Sequence, residues 1–254
     1  MVHFVGAGPG APDLITIRGR DLIEKCDVLI YAGSLVNPEL LQYAKEGCEI
    51  HNSAYLNLDE VIDIMKKADA EGKTVVRLHT GDPSIYGAIR EQMDELNRLG
   101  IEFDDTPGVS SFCGAAAALN LEYTLPGVSQ SVIITRMEGR TKVPEKESVE
   151  ALASHDSTMV FFLSAGNIEG LANKLMEAGR PADTPCAIVY KATWPDEKKI
   201  VCTLKDAAQM AEKEGISKTA LVIVGDVVAA GSYEKSKLYD KDFETEYRKD
   251  HGDK

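Results

Sequence analysis

The stretch "FVGAGPGAPDLIT" (residues 4–16) decides how the chain begins to fold. A short apolar run is followed at once by three alternating glycines, Gly6, Gly8 and Gly10. Glycines placed directly after a strand permit a sharp turn and a close approach of backbone to a ligand. Pro9 and Pro12 interrupt the region, so we expect the next helix to wait for Thr16, a good N-cap residue.

Three interpretations of this glycine loop compete. Gly6, Gly8 and Ala11 satisfy the spacing G-x-G-x-x-[G/A] of dinucleotide-binding oxidoreductases. In those proteins the helix starts inside the motif, and an acidic residue after the next strand holds a ribose hydroxyl. Here the next strand, "DVLIYA" (27–32), carries its only acid, Asp27, at the wrong end. A tight structural turn remains an alternative, and backbone approach to another ligand is favoured.

Composition limits the class of protein. The chain has 254 residues, 44% hydrophobic, with a net charge of −13, which disfavours a non-specific nucleic-acid binder because that needs a basic face. Neither a signal peptide nor an apolar run long enough for a membrane span is recognisable. The five cysteines are scattered without metal-ligand spacing. We therefore expect a cytoplasmic protein with no protein-bound metal, no membrane contact and no nucleic-acid partner.

Apolar runs alternate with segments of helical periodicity along the whole chain. This alternation predicts an α/β fold with mainly parallel sheets. Pro126 and Gly127 break the rhythm, which indicates two α/β domains with a ligand cleft between them. The expected parts are an N-terminal domain (1–120), a linker (121–130), a C-terminal domain (131–240) and a charged tail (241–254).

Two helix starts are predicted from capping residues. Asn37 followed by Pro38 is expected to begin a helix that Gly47 ends. Asp82 followed by Pro83 is expected to begin an amphipathic helix that runs to Gly100.

Small residues follow three successive strands of the N-terminal half. Besides the first loop, they occur in "RLHTGDPSIYG" (77–87) and in "TPGVSSFCGAAAA" (106–118). Each segment alone is explained by capping or by close helix packing. Together they favour one ligand surrounded by backbone, because the carboxyl ends of parallel strands meet at one sheet edge.

Cations cluster after the first strand of the second half. "TRMEGRTKVPE" (135–145) contains Arg136, Arg140 and Lys142, which are typical either of a solvated loop or of a cationic lid over an acidic substrate. The only tryptophan, Trp194, lies in "YKATWPDEKK" (190–199) and alone predicts no more than a surface turn.

These segments together resemble the tetrapyrrole methyltransferase family, which uses S-adenosylmethionine. The stretches that carry the resemblance are "VGAGPGAPDLIT" with Arg18, "HTGDPSIYG", "TPGVSS" with the alanine run, and "ALVIVGDVV". The stretches "YAGSLV", "TRMEGRTKVPE", "VYKATWPDE" and "SKLYDKDF" narrow it to the branch that methylates carbon 11 of precorrin-4 or cobalt-precorrin-4 in vitamin B12 biosynthesis.

The resemblance implies a homodimer that converts S-adenosylmethionine to S-adenosylhomocysteine. The implied cofactor-binding residues are Pro9, Gly81, Asp82, Ile85, Ser110, Ser111, Leu163, Ala192, Ala220 and Leu221. Thr80, Leu163 and Ala192 differ from relatives that act on uroporphyrinogen, which commonly carry Gly, Met and Gly there.

No nucleophile or paired-carboxylate signature is present, so we expect catalysis by positioning, and no general base is assigned. The tetrapyrrole carries several carboxylates, for which the candidate ligands are Arg136, Arg140, Lys142 and Lys191. Open alternatives are a methyltransferase of the same fold acting on another precorrin, on RNA ribose or on diphthine, and a non-catalytic nucleotide-binding module.

Overall fold

The computed structural model describes residues 1–229, 231–240, 243, 244 and 246. Two compact units are present. The first holds Met1–Leu119 together with Val189–Lys198, and the second holds Asn120–Ile188 and the described residues from Lys199 onward. The segment expected as a linker, 121–130, thus belongs to the second unit. Most of the expected charged tail, 241–254, lies outside the described residues.

The first unit contains a five-stranded sheet in the order β3-β2-β4-β1-β5, and each of its neighbouring pairs is parallel. The strands are β1 (Val2–Gly6), β2 (Val28–Tyr31), β3 (Glu49–Asn52), β4 (Val75–His79) and β5 (Phe103–Thr106). The helices are α1 (Ile17–Lys25), α2 (Leu58–Ala70), α3 (Arg90–Leu99) and α4 (Ser111–Leu119).

Both faces of this sheet are buried, as its continuous apolar strands require. Phe4 and Ile30 belong to a core cluster that includes residues of α2, whereas Val5 and Leu29 belong to a second cluster that includes Ile23 of α1. Because alternate residues of a strand point to opposite faces, one strand supplies both clusters.

The predicted helix starts have different outcomes. Thr16 does cap α1, since its side chain accepts a hydrogen bond from the Gly19 amide. Asn37 also acts as a cap, but the element that follows it is a short 3₁₀ helix, Pro38–Tyr43, rather than a helix to Gly47.

The second unit is built around a second five-stranded sheet, in the order β6-β7-β10-β8-β9. Its strands are β6 (Val132–Arg136), β7 (Thr158–Phe162), β8 (Pro185–Tyr190), β9 (Lys198–Thr203) and β10 (Ala220–Val224). Its helices are α5 (Val149–Ala153), α6 (Ile168–Glu177) and α7 (Ala207–Lys213).

This second sheet is mixed. β6 and β7 pair in parallel, whereas β7 and β10 pair antiparallel. Segment 191–197, which joins the neighbouring strands β8 and β9, is shorter than the crossover that a parallel pair needs. Alternation of strands and helices thus predicted a parallel first sheet correctly but did not predict the mixed character of the second.

No helix in the described part of the chain is long and apolar enough to cross a membrane.

Candidate functional site

Three loops meet at one edge of the first sheet, because β4, β1 and β5 are neighbouring parallel strands. The backbones touch at Gly6, Gly81 and Gly108. A Cβ atom on Gly108 would lie 2.1 Å from the Gly81 carbonyl oxygen, and one on Gly6 would lie 2.5 Å from the Gly108 Cα. Such distances are shorter than real side chains allow. Glycine is therefore required at both positions for the loops to approach each other.

The first glycine loop is hydrogen-bonded to the loop that follows β4. The Ala7 amide donates to the His79 carbonyl over 2.7 Å. Gly8 and Gly81 exchange two bonds, with Gly8 N donating to Gly81 O over 3.2 Å and Gly81 N donating to Gly8 O over 2.8 Å. Both glycines have positive φ, +80° and +63°, a region that suits glycine.

These bonds explain why the glycine loop differs from a dinucleotide fingerprint. A pyrophosphate site needs backbone amides that point at the phosphate oxygens. Here the amides of Ala7 and Gly8 donate to backbone, the Ala11 amide donates to Thr193 Oγ1 over 2.9 Å, and Pro9 has no amide hydrogen. α1 begins only at Ile17, as the prolines predicted. The loop therefore offers a ligand shape rather than an array of donors.

Asp82 joins the second and third loops. Its Oδ2 accepts a hydrogen bond from the Gly108 amide over 2.9 Å, and its Oδ1 accepts one from the Ser84 amide over 2.9 Å as well as one from the Ser84 hydroxyl. Partial burial favours the neutral acid, but the bonds from Ser84 and Gly108 outweigh it and lower the pKa of Asp82. The carboxylate is thus a fixed negative charge at this sheet edge.

The prediction that Asp82 caps a helix is wrong. α3 starts at Arg90, and its preceding residue makes no side-chain cap. Tyr86 and Ala88 have φ of +56° and +50°, values incompatible with a right-handed helix. Asp82 instead closes a turn onto Ser84, and the strained segment 83–89 separates that turn from α3.

The third loop leads into a helix of small residues. Ser110 is buried, and its carbonyl accepts hydrogen bonds from the amides of Cys113 and Gly114 in the first turn of α4. A Cβ atom on Gly114 would lie 2.9 Å from the Pro9 Cβ. The small residues of α4 thus allow Pro9 to lie directly against the helix.

Most of the predicted cofactor-binding residues therefore lie in the first unit. They are Pro9, Gly81, Asp82, Ile85, Ser110, Ser111 and Ala192. Ala192 is buried. The contacts given above directly connect Pro9 with α4, and Asp82 with the loops after β4 and β5.

The other predicted cofactor residues belong to the second unit. Ala220 and Leu221 are buried at the start of β10. Leu163, just after β7, is 70% exposed and has a φ of +51°. A large apolar residue in the left-handed region is an outlier that surrounding contacts must hold in place. The buried Ser164 hydroxyl helps to hold it, because it donates to the Phe162 carbonyl over 2.7 Å.

The predicted substrate cations have unequal surroundings. The Arg136 guanidinium donates to the carbonyls of Thr141 and Lys142 over 3.1 and 3.0 Å, so it holds its own loop in shape. Arg140 and Lys142 are exposed on that loop. In the first unit, Lys191 forms an ion pair with Asp196 at 2.6 Å, and the bond to Asp196 raises the pKa of Lys191.

Sequence reasoning missed two buried basic side chains in β4. Arg77 donates to Gln92 Oε1 over 3.1 Å, and burial lowers its pKa to about 10. Burial and the nearby Arg77 lower the pKa of His79 to about 3, so its imidazole is neutral. Among the described residues, His79 Nε2 and Thr80 Oγ1 are buried without a hydrogen-bond partner. The apolar pattern of β4 gave no sign that Arg77 and His79 would be buried.

In the described part of the chain, no group of three or more His, Cys, Asp or Glu side chains is arranged to hold a metal ion.

The fold and the glycine-lined loops agree with the comparison with protein families. Residues 1–208 match the model of the tetrapyrrole (corrin/porphyrin) methylases, and the chain belongs to this family.

Comparisons with individual relatives show which members of the family the chain is similar to. The chain is 59% identical to a cobalt-precorrin-4 C(11)-methyltransferase from Methanocaldococcus jannaschii, over 98% of this chain and 96% of the relative. It is similar to the crystal structure of a cobalamin biosynthetic enzyme, cobalt precorrin-4 methyltransferase, with a TM-score of 0.88 and 44% identity over 90% and 96% of the two chains. A uroporphyrin-III C-methyltransferase from Thermus thermophilus, solved with S-adenosylhomocysteine, matches with a TM-score of 0.75 and 26% identity over 89% and 98%.

Proposed function

We propose that this chain transfers a methyl group from S-adenosylmethionine to carbon 11 of cobalt-precorrin-4 or precorrin-4, a step of vitamin B12 biosynthesis. The observation that carries the proposal is the 59% identity to a cobalt-precorrin-4 C(11)-methyltransferase along nearly the full length of both chains.

The first unit fits the methyl donor. Its three loops present a cradle of backbone and small side chains, in which a side chain on Gly6 or Gly108 would collide with neighbouring backbone. The lowered pKa of Asp82 keeps a negative charge at this edge, which favours the cationic groups of the donor. We place Pro9, Gly81, Asp82, Ile85, Ser110, Ser111 and Ala192 around the donor, together with Leu163, Ala220 and Leu221 of the second unit.

The reaction requires little covalent chemistry from the protein. In S-adenosylmethionine the methyl group is bonded to a positively charged sulfonium, and the neutral thioether S-adenosylhomocysteine is a good leaving group. The electron pair of the substrate ring carbon forms the new carbon–carbon bond, while the pair of the broken carbon–sulfur bond stays on sulfur in S-adenosylhomocysteine. Rigid loops that hold both reactants at near-attack distance supply the acceleration.

The acidic substrate needs local cations on a chain of net charge −13. We assign Arg140 and Lys142 to substrate carboxylates, because both are exposed on the loop that Arg136 holds. Arg136 and Lys191 complete the set, each already engaged within the protein. Substrate carboxylates would compete with Asp196 for Lys191.

Assembly and location complete the proposal. We propose a homodimer, which light scattering at several protein concentrations tests directly. We also propose a cytoplasmic location, which is supported by five cysteines that are all free thiols, as a reducing compartment favours.

The decisive experiment locates the new methyl group. The purified chain is incubated with ¹³C-methyl S-adenosylmethionine and either cobalt-precorrin-4 or its metal-free form, and the product is examined by NMR. We expect one labelled carbon at position 11, and the faster of the two reactions identifies the form of the substrate. A label at another ring carbon would refute the assignment.

Calorimetric titrations separate this proposal from the other classes. We expect S-adenosylhomocysteine to bind and NAD not to bind, whereas an oxidoreductase gives the reverse. Salt-dependent binding of RNA would favour an RNA methyltransferase of the same fold.

A further inference from the structure

The segment Val189–Lys198 lies in the first compact unit, although it joins β8 and β9 of the second sheet. It fastens the first glycine loop through two side chains. The Trp194 indole N–H donates to the Pro9 carbonyl over 3.2 Å, and the Ala11 amide donates to Thr193 Oγ1 over 2.9 Å. These bonds join residues more than 180 positions apart, so they fix the loop against a remote part of the chain.

The fit between Trp194 and the loop is tight. A Cβ atom on Gly10 would lie 2.1 Å from Trp194 Cδ1, so the indole requires glycine there. The buried Asn37 side chain donates to the Gly10 carbonyl over 2.9 Å. Three side chains thus hold the three consecutive residues Pro9, Gly10 and Ala11.

The backbone of this segment is strained. Lys191 and Thr193 have φ of +46° and +70°, and a β-branched residue in the left-handed region is a genuine outlier. The Thr193 amide donates to Glu197 Oε2 over 2.6 Å, and the Trp194 amide donates to the Lys191 carbonyl over 3.0 Å. Strain of this kind persists where surrounding contacts over-determine it and clusters at functional sites.

We propose that Thr193 and Trp194 are positioning residues for the methyl-donor site. They act through Pro9 and Ala11, whose backbone they hold in one arrangement, with Pro9 against α4. This inference rests on the proposed function, because the loop matters to catalysis only if it contacts S-adenosylmethionine. The strained turn at Thr193 is then the conformation that brings its hydroxyl to the Ala11 amide.

Two variants each remove one bond. Thr193→Val keeps the branched shape but loses the acceptor for Ala11, and Trp194→Phe keeps an aromatic ring but loses the donor to Pro9. Thr193→Ser retains the hydroxyl and serves as the conservative rescue. Thr203→Val is the matched control, because it removes a hydroxyl that donates to Asp206 Oδ2 over 2.6 Å in the second unit.

Three readouts distinguish positioning from general stability. The first is the Kd for S-adenosylhomocysteine, the second is the KM for S-adenosylmethionine beside that for the tetrapyrrole, and the third is hydrogen exchange of the peptide 4–16. We expect Thr193→Val and Trp194→Phe to raise the donor Kd and KM by about 3- to 10-fold, as loss of one hydrogen bond predicts. Exchange over 4–16 should accelerate in both variants, while Thr193→Val leaves the tetrapyrrole KM unchanged.

The rescue and the control complete the test. Thr193→Ser should restore the wild-type Kd to within about twofold, whereas Thr203→Val should lower Tm without changing either KM. Wild-type donor affinity and wild-type exchange in both Thr193→Val and Trp194→Phe would overturn the inference. If the wild-type chain itself fails to bind S-adenosylhomocysteine, the proposed function is refuted, and the exchange data alone decide whether the two side chains hold the loop.

Discussion

Replacing Gly108 by alanine tests the close contact of the three loops. The new Cβ atom would lie 2.1 Å from the Gly81 carbonyl oxygen, whereas real Cβ atoms essentially never approach closer than 3.0 Å. The loop after β5 must therefore retreat by at least 0.9 Å, the difference between these two distances. That shift also stretches the 2.9 Å bond from the Gly108 amide to Asp82.

The approximate free-energy cost of each effect is known. Overpacking of a fixed site costs about 1–3 kcal/mol, and complete loss of a hydrogen bond to a charged group costs about 1.5–3 kcal/mol. We expect Gly108→Ala to lower the free energy of unfolding by about 2–5 kcal/mol. We also expect a large loss of affinity for S-adenosylhomocysteine.

Two further alanine variants separate collision from conformation. Gly81 has a φ of +63° but only ordinary contacts around a new Cβ, the shortest at 3.4 Å, so Gly81→Ala should cost about 1–2 kcal/mol from conformation alone. Gly139 has nothing within 4 Å and no positive φ, so its variant should lie within about 0.5 kcal/mol of wild type.

Urea unfolding monitored by circular dichroism ranks the three variants, and calorimetry gives their affinities for S-adenosylhomocysteine. If Gly108→Ala is as stable as Gly139→Ala and binds as tightly, the close packing of the loops is not a requirement of the fold.

Three further predictions concern charge. The pKa of His79 is lowered to about 3 in the folded chain against 6.5 in the unfolded state. The stability that this histidine contributes is therefore complete above pH 6.5 and falls as the pH drops towards 3, by up to about 1.4 kcal/mol per pH unit. Urea unfolding from pH 7 to 4 should show that the free energy of unfolding depends less steeply on pH in His79→Gln. Asp82→Asn places a donor or a weaker acceptor against the Gly108 amide and should cost about 1–3 kcal/mol of unfolding free energy. Because the pKa of Asp82 is lowered, the stability that the wild-type carboxylate contributes is present above the ordinary aspartate pKa. It is lost only as the pH falls through the pKa of the folded state. Arg140→Ala should raise the KM for the tetrapyrrole about tenfold with little change in the KM for the methyl donor, as loss of one charge-assisted contact predicts; unchanged substrate KM in both Arg136→Ala and Arg140→Ala would remove the cationic lid from the mechanism.

The first sheet and its three loops were predictable because their signals are local. Apolar runs define β1 and β4, and the glycines that follow them mark turns whose neighbours share one sheet edge. β3 escaped prediction because the edge sequence "EIHN", which is exposed at Glu49 and Ile50, lacks an apolar run. The start of α3 was misplaced because a good capping pair, Asp82 and Pro83, is used for a turn onto Ser84 instead.

The tertiary contacts at the candidate site were beyond local patterns. The sequence around Trp194 alone predicted only a surface turn. In the structure the Trp194 indole N–H donates a hydrogen bond to the Pro9 carbonyl, 185 positions away in the chain. The bonds of Arg136 to carbonyls of its own loop depend on the path of residues 137–142, which composition does not specify. The family resemblance supplied residue roles for the second unit, and these stay predictions until binding is measured.

The occupied amides of the first glycine loop have a consequence for competition inside a cell. Adenine nucleotides and dinucleotides share an adenosine group with S-adenosylmethionine and are abundant, but they carry di- or triphosphates. A loop whose Ala7, Gly8 and Ala11 amides already donate within the protein leaves few backbone donors to compensate those phosphates for their lost hydration. We therefore expect adenine nucleotides to compete poorly with the methyl donor for this loop.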